Sequence, residues 1–214
     1  MALFAYSLKV FLALLVALTP FVGVSAFVAF SGGIASRREK SRLVLKTSLA
    51  VAIMMLVFLF GGNYLFQFFG ISLPAFQIAG GIVIFGNGLA MVRARAHEKY
   101  TAEEAQEGHA KEDFSVVPLA TPILCGPATI SAVVVYGTEA VRSGDLATSH
   151  ILALVSAIVA ASLVTYVLLY LSTEVAKFLG QTGMNVLTRI MGLLFASLGV
   201  EIIIKAAVAL KLVA

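Results

Sequence analysis

Two stretches set the same residue types where chemistry is possible inside apolar sequence. Leu18-Thr19-Pro20-Phe21-Val22-Gly23 and Ala120-Thr121-Pro122-Ile123-Leu124-Cys125-Gly126-Pro127 each put a threonine–proline pair, followed shortly by glycine, within a long hydrophobic run. Proline has no amide hydrogen and clashes with the preceding turn. In lipid, the carbonyls it frees must find another partner. A half-helix starting after such a break points free amides and partial positive charge at the gap, which suits a carboxylate. The carbonyls left before the break suit an ammonium group or a cation. The candidate solute-binding residues are therefore Thr19, Pro20, Gly23 and Ser25 in the first stretch, and Thr121, Pro122, Gly126, Pro127 and Thr129 in the second, with Ser131 nearby. A single such motif reads more readily as a proline kink repaired by a hydroxyl. Its duplication, and the adjacent Gly126-Pro127, favour a binding site, because helices broken at matching points of two halves point to a transporter's centre.

Other polar residues in apolar surroundings are candidates for coupling or gating: Gln77, Asn87, Arg189 and Glu201. Each has a plainer reading. Arg189 sits where it could snorkel to the surface. Glu201 and Lys205, four residues apart, could simply pair. Gln77 and Asn87 could join helices. Gly80-Gly81 and Gly86-x-Gly88 read as sites of close helix contact. Enzymatic chemistry finds no constellation. His97, His109 and His150 fall in expected loops without metal-ligand spacing, and Cys125 has no histidine near it in sequence. No phosphate-cradling loop with a lysine occurs. The expectation is a chain that is not an enzyme and holds no metal or cofactor, a coupling sodium ion or proton apart.

These residues must be positioned by membrane helices. The chain has 214 residues, 60% hydrophobic and 12% charged, with a mean hydropathy of +1.02. Soluble domains average about a quarter charged residues. Six runs are long enough to span a bilayer, about 8–30, 43–68, 72–92, 116–137, 149–172 and 185–208, by the rule of roughly 20 apolar residues per span. The runs are continuous rather than alternating, which excludes a barrel. The first is not expected to be a cleaved signal, since its only early cation is Lys9 and the apolar run continues to Phe30.

Ten basic residues fall in the first, third and fifth loops: Arg37, Arg38, Lys40, Arg42, Lys46, Arg93, Arg95, Lys99, Lys111 and Lys177. Four (Lys9, Arg142, Lys205 and Lys211) lie on the other side. The excess puts the odd loops in the cytoplasm and both termini outside. In a membrane protein the net charge of +4 says nothing of nucleic acid. The expected partners are lipid and a small solute, and the oligomeric state is open.

The Thr-Pro pairs lie 102 residues apart, and Gln77-Ile78-Ala79-Gly80 is echoed 112 residues on by Arg189-Ile190-Met191-Gly192. Three spans per half is an odd number, so the second half enters the membrane from the opposite side. The expected organisation is a first three-helix repeat (1–92), a charged cytoplasmic linker (93–115) and a second three-helix repeat (116–214). The fold is all-α, with the first and fourth spans broken at proline.

Three motifs resemble those of the MarC family of integral membrane proteins. They are Phe69-Gly70-Ile71-Ser72-Leu73-Pro74-Ala75-Phe76-Gln77-Ile78-Ala79-Gly80-Gly81, then Val117-Pro118-Leu119-Ala120-Thr121-Pro122 with Cys125-Gly126-Pro127 and Thr129-Ile130, and then Thr188-Arg189-Ile190-Met191-Gly192. The resemblance covers nearly the whole chain, in order. It implies a three-plus-three inverted repeat in the inner (cytoplasmic) membrane. It also implies a similarity to archaeal transporters of small neutral amino acids such as glycine and alanine. The chain departs from the family at the first break, which reads Thr-Pro where Asn-Pro is usual, and at Gln77, where arginine is usual. The expected function is secondary transport or export of such a solute by alternating access. The alternatives are a non-transporting scaffold or regulatory protein, or a resistance-associated exporter of other small solutes.

Overall fold

The computed structural model describes residues 2–31, 36–93, 114–142, 144 and 147–210, and every regular element among them is helical. In chain order these are α1 (Ala2–Ala17), α2 (Pro20–Phe30), α3 (Arg37–Phe69), α4 (Leu73–Val92), the wide-turned α5 (Ser115–Leu124), α6 (Pro127–Val141), α7 (Ala147–Tyr170) and α8 (Ser172–Ala209). Five stretches are long and apolar enough to cross a membrane: Leu3–Val28, Arg37–Gly62, Leu73–Val92, Ala147–Tyr170 and Thr182–Ala209. The pair α5 and α6, bent by 65°, makes a sixth if counted as one span.

Most spans lie within a few residues of the expected runs. Two elements differ. α3 begins at Arg37, so Arg37, Arg38, Lys40, Arg42 and Lys46 lie on its first turns rather than in a loop. Nothing between Arg37 and Lys46 breaks a helix: there is neither glycine nor proline. α8 begins at Ser172, and the break falls at Gly180 (φ 59°), a backbone conformation that glycine adopts without strain. Lys177 is therefore helical too. Of the expected linker, residues 94–113, with His97, Glu98, Glu103, Glu104, Glu107, His109, Glu112 and Asp113, lie outside the described residues.

The spans carrying the Thr-Pro motifs are the central ones. In the first span, Leu3–Val28, 67% of the most apolar window is buried, against 33% for Leu73–Val92. α6 is buried along most of its length, from Ala128 to Ala140. Small residues on it (Ala128, Ser131, Ala132, Gly137) let neighbouring backbones approach, which is how helices associate where lipid is as apolar as leucine. Around this centre, α3, α4, α7 and α8 turn Ile53, Phe60, Ile82, Leu163 and Leu193 outward.

The most extensive helix contact is an antiparallel seam between α4 and α8. A Cβ added at Gly81 would lie 2.8 Å from the Gly199 carbonyl oxygen, and one added at Gly192 would lie 2.8 Å from that of Gly88. Glycine faces glycine at both crossings, as expected for Gly81 and Gly88. Gly86 instead faces open space, with nothing within 4 Å of an added Cβ.

Candidate functional site

At the first interruption α1 ends at Ala17 and α2 begins at Pro20, proline being favoured as the first helical residue because its missing amide would have had no partner. Thr19 joins them at φ 46°, ψ 53°, the left-handed region. That conformation costs an L-residue about 1–2 kcal/mol. Pro20 removes one amide donor here. Around the gap, Leu18 N–H bonds to Leu14 O (2.9 Å), Thr19 N–H to Val16 O (3.1 Å), Val22 N–H to Thr19 O (2.9 Å) and Gly23 N–H to Thr19 O (3.2 Å).

The second interruption is longer. In α5, Val117 and Thr121 are extended, as residues before proline are driven to be, and the peptides Val117–Pro118 and Thr121–Pro122 are cis. The turn widens, with Leu119 N–H bonding to Phe114 O and Cys125 N–H to Ala120 O. Thr47 on α3 donates to Ser115 O at 2.9 Å. α6 then starts at Pro127, five residues after Pro122. The expected half-helix after Pro122 is thus displaced, because Pro127 rather than Pro122 takes the first helical position.

One side chain ties the two interruptions together. The hydroxyl of Thr129, in the first turn of α6, lies 2.9 Å from the carbonyl oxygen of Ala17, the last residue of α1. It lies 3.0 Å from that of Leu124, the last residue of α5. A threonine hydroxyl carries one proton for these two acceptors. Leu124 also packs on Gly23 of α2, where an added Cβ would meet its Cδ2 at 2.5 Å.

A cavity of about 280 Å³ opens at this junction. Its walls include Thr19 and Val22 of the first break, Pro122, Gly126, Pro127 and Thr129 of the second, and Asn87 of α4. The first turns of both α2 and α6 face it, and neither helix has a side-chain cap. Two helix N-termini, each with its partial positive charge, therefore border one space; on α2 the Val22 and Gly23 amides are already bonded to Thr19 O.

The structure thus brings together six of the expected residues: Thr19, Pro122, Gly126, Pro127, Thr129 and Asn87. The other seven lie elsewhere. Pro20 and Gly23 are buried and do not line the cavity. Ser25 donates to Phe21 O in its own helix, and Thr121 bonds to Met54 Sδ at 2.8 Å. Gln77 is buried on α4. Arg189 is exposed, and Glu201 is exposed and 3.8 Å from Lys205 Nζ. Phe195 of α8 and Met91 of α4 also line the cavity, and the sequence offered no signal for either beyond their apolar type. Cys125 is fully buried in the core. Among the described residues, no group of three or more His, Cys, Asp or Glu side chains could hold a metal ion.

The MarC family integral membrane protein pattern matches residues 4–210. The UPF0056 membrane protein YhcE of Escherichia coli is 35% identical over 198 residues, covering 92% of this chain and 89% of that protein. A UPF0056 membrane protein of Methanocaldococcus jannaschii is 32% identical over 200 residues, 94% of this chain and 95% of its own length. The UPF0056 membrane protein YvbG of Bacillus subtilis is 30% identical over 203 residues, 94% of this chain and 93% of its own length. No solved structure matches the chain.

Proposed function

The chain belongs to the MarC family of integral membrane proteins, and on that premise we propose that it is a secondary transporter of a small zwitterion such as glycine or alanine, bound where the two helix interruptions meet. The observation that carries this reading is the cavity faced by the first turns of both α2 and α6, neither of them capped by a side chain. Helix N-termini attract anions, so a carboxylate fits there. An ammonium group fits beside Ala17, which lines the cavity and whose carbonyl shares the Thr129 proton with that of Leu124. The Asn87 amide, on the part of the wall that α4 provides, both donates and accepts. Drug-sized ligands occupy pockets of about 300–1,000 Å³. At about 280 Å³ this cavity suits something smaller.

Several features support alternating access between two inverted halves, 1–92 and 116–214. Each half carries a buried, interrupted span (α1–α2 and α5–α6). Each ends in a glycine-bearing helix (α4 and α8), and these two helices cross antiparallel with glycine at all four contact positions. Exchange of the halves about an axis in the membrane plane preserves that pattern. In this reading the basic end of α3 faces the cytoplasm and both termini face outward across the inner membrane. The charged segment around residues 93–115 links the halves, and the chain moves its solute without transforming it. A proton or sodium gradient drives it.

A second reading, a non-transporting scaffold, has one observation of its own: Cys125, beside the second interruption, is fully packed rather than facing the cavity. Counterflow of labelled glycine and alanine in proteoliposomes separates the two. Transport predicts saturable uptake above protein-free vesicles. The absence of uptake for every small neutral amino acid, with folded protein, refutes it in favour of the scaffold.

A further inference from the structure

Part of the cavity wall belongs to neither interruption. Asn87, Ala90 and Met91 of α4 and Phe195 of α8 line it, and they stand beside the seam where these two helices meet. A Cβ added at Gly88 would lie 2.8 Å from the Ala196 Cα, and one added at Gly192 would lie 2.6 Å from the Met91 Cβ. The two backbones thus hold each other at a fixed spacing, and the reach of this wall into the cavity is set by its side chains. Met91 is 4% exposed and Phe195 1%. Both belong to the packed core, where a side chain has little room to swing aside. The polar side chains lining the cavity are Thr19, Thr129 and Asn87. Ala90, Met91 and Phe195 offer a solute only apolar surface.

We propose that Phe195 is the specificity-determining residue that limits how large a side chain the bound solute can carry. The inference rests on the transport reading and deepens it. A zwitterion held by its charged groups at the interruptions turns its remaining substituent to apolar surface. Phe195 is the largest side chain lining the cavity. Val22 and Ile123 add apolar surface, but on the interrupted spans that hold the charged groups. A hydrogen or a methyl group fits against the ring. The branched chain of leucine would have to drive the ring into filled core, and such overpacking is unfavourable. One methylene more or less in an apolar pocket changes selectivity by about 10–200-fold, so one ring suffices to separate alanine from leucine. Met91 comes from the first half of the chain and Phe195 from the second, so the limit is set where the halves meet. The sequence hid this residue among 15 phenylalanines; only the packing of α8 on α4 singles it out.

The test compares alanine with leucine on the full chain, by ligand-induced thermal stabilisation in detergent and by counterflow in proteoliposomes. The unaltered chain should prefer alanine at least tenfold. Phe195→Ala should reduce that preference at least tenfold, by gaining leucine rather than by losing alanine. Phe195→Leu keeps most of the core filled; it should move the ratio the same way, by less, and serves if Phe195→Ala does not fold. Phe27→Ala removes a ring that is as deeply buried but packs on Phe114 and does not line the cavity. It should lower stability and leave the ratio unchanged. No preference in the unaltered chain, a ratio unmoved in the folded Phe195 variants, or an equal shift in Phe27→Ala overturns the assignment, and alanine flux would still uphold transport. A shifted binding ratio without flux in any variant upholds Phe195 and removes only the transport reading. Binding of neither amino acid by any folded variant overturns both.

Discussion

At the first interruption the chain leaves the helix for Leu18 and Thr19 alone and resumes, at Pro20, within the same span. At the second it passes through ten residues of widened turn with two extended positions, then bends by 65° before α6 begins at Pro127. The first is held by a single left-handed threonine, the second by prolines that force their predecessors out of the helix. Both place an uncapped helix start on one cavity, and both lend their last helical carbonyl to Thr129. Two unlike backbones thus reach the same electrostatic arrangement, and the shared hydroxyl is what makes them one site. Irregular backbone at membrane depth is tolerated where protein surrounds it, and these are the two most enclosed spans.

The sharpest way to break this equivalence is Thr129→Val, which keeps shape and removes the hydroxyl. Leaving buried acceptors unserved costs about 1–3 kcal/mol, so thermal unfolding in detergent should show that loss. Thr129→Ser should restore most of it, and uptake should fall at least tenfold in the valine variant only. Gly126→Ala comes next. Its Cβ would lie 2.8 Å from the backbone carbonyl of Pro122, which cannot swing aside, and such overpacking costs about 1–3 kcal/mol. The corresponding Gly23→Ala meets only the end of the Leu124 side chain and should cost less in the same assay. Thr19→Gly should act in the opposite direction. It relieves left-handed strain and gains up to about 1 kcal/mol after the entropy of glycine is charged against it. The smallest effect is expected for Thr121→Val, which loses a weak contact to Met54 Sδ worth under about 1 kcal/mol. A larger loss there than at Thr129 would reverse the ranking of the two sites.

Much of the architecture was legible because apolar runs and helix breakers are local signals. The expected run 72–92 and the observed Leu73–Val92 differ by one residue, and Pro20 marks the start of α2 directly. The bend between α5 and α6 lies near the expected fourth-span break, but its second helix starts at Pro127 rather than after Pro122. Three prolines lie within ten residues, and sequence alone does not say which begins the helix; tertiary support from Thr47 and Met54 settles it. Thr129 was named as a site residue for its hydroxyl, but its service to Ala17, 112 positions away, is a property of packing. Arg189 and Glu201 stood out as charges in apolar sequence, yet both lie on an outward face. Periodicity shows that a residue is in a span and not which way it points. Close helix contact was legible for Gly81 and Gly88 of α4 and not for Gly86, for the same reason.

In the proposed transport cycle one solute contacts both interruptions at once. Single cysteines at Thr19 and at Pro127, each in a Cys125→Ser background, test it through their reaction with a small charged thiol reagent, with and without glycine. Both positions should label, and glycine should protect both over the same concentration range, by fivefold or more. Failure of both folded variants to label, or protection at only one break, would contradict it.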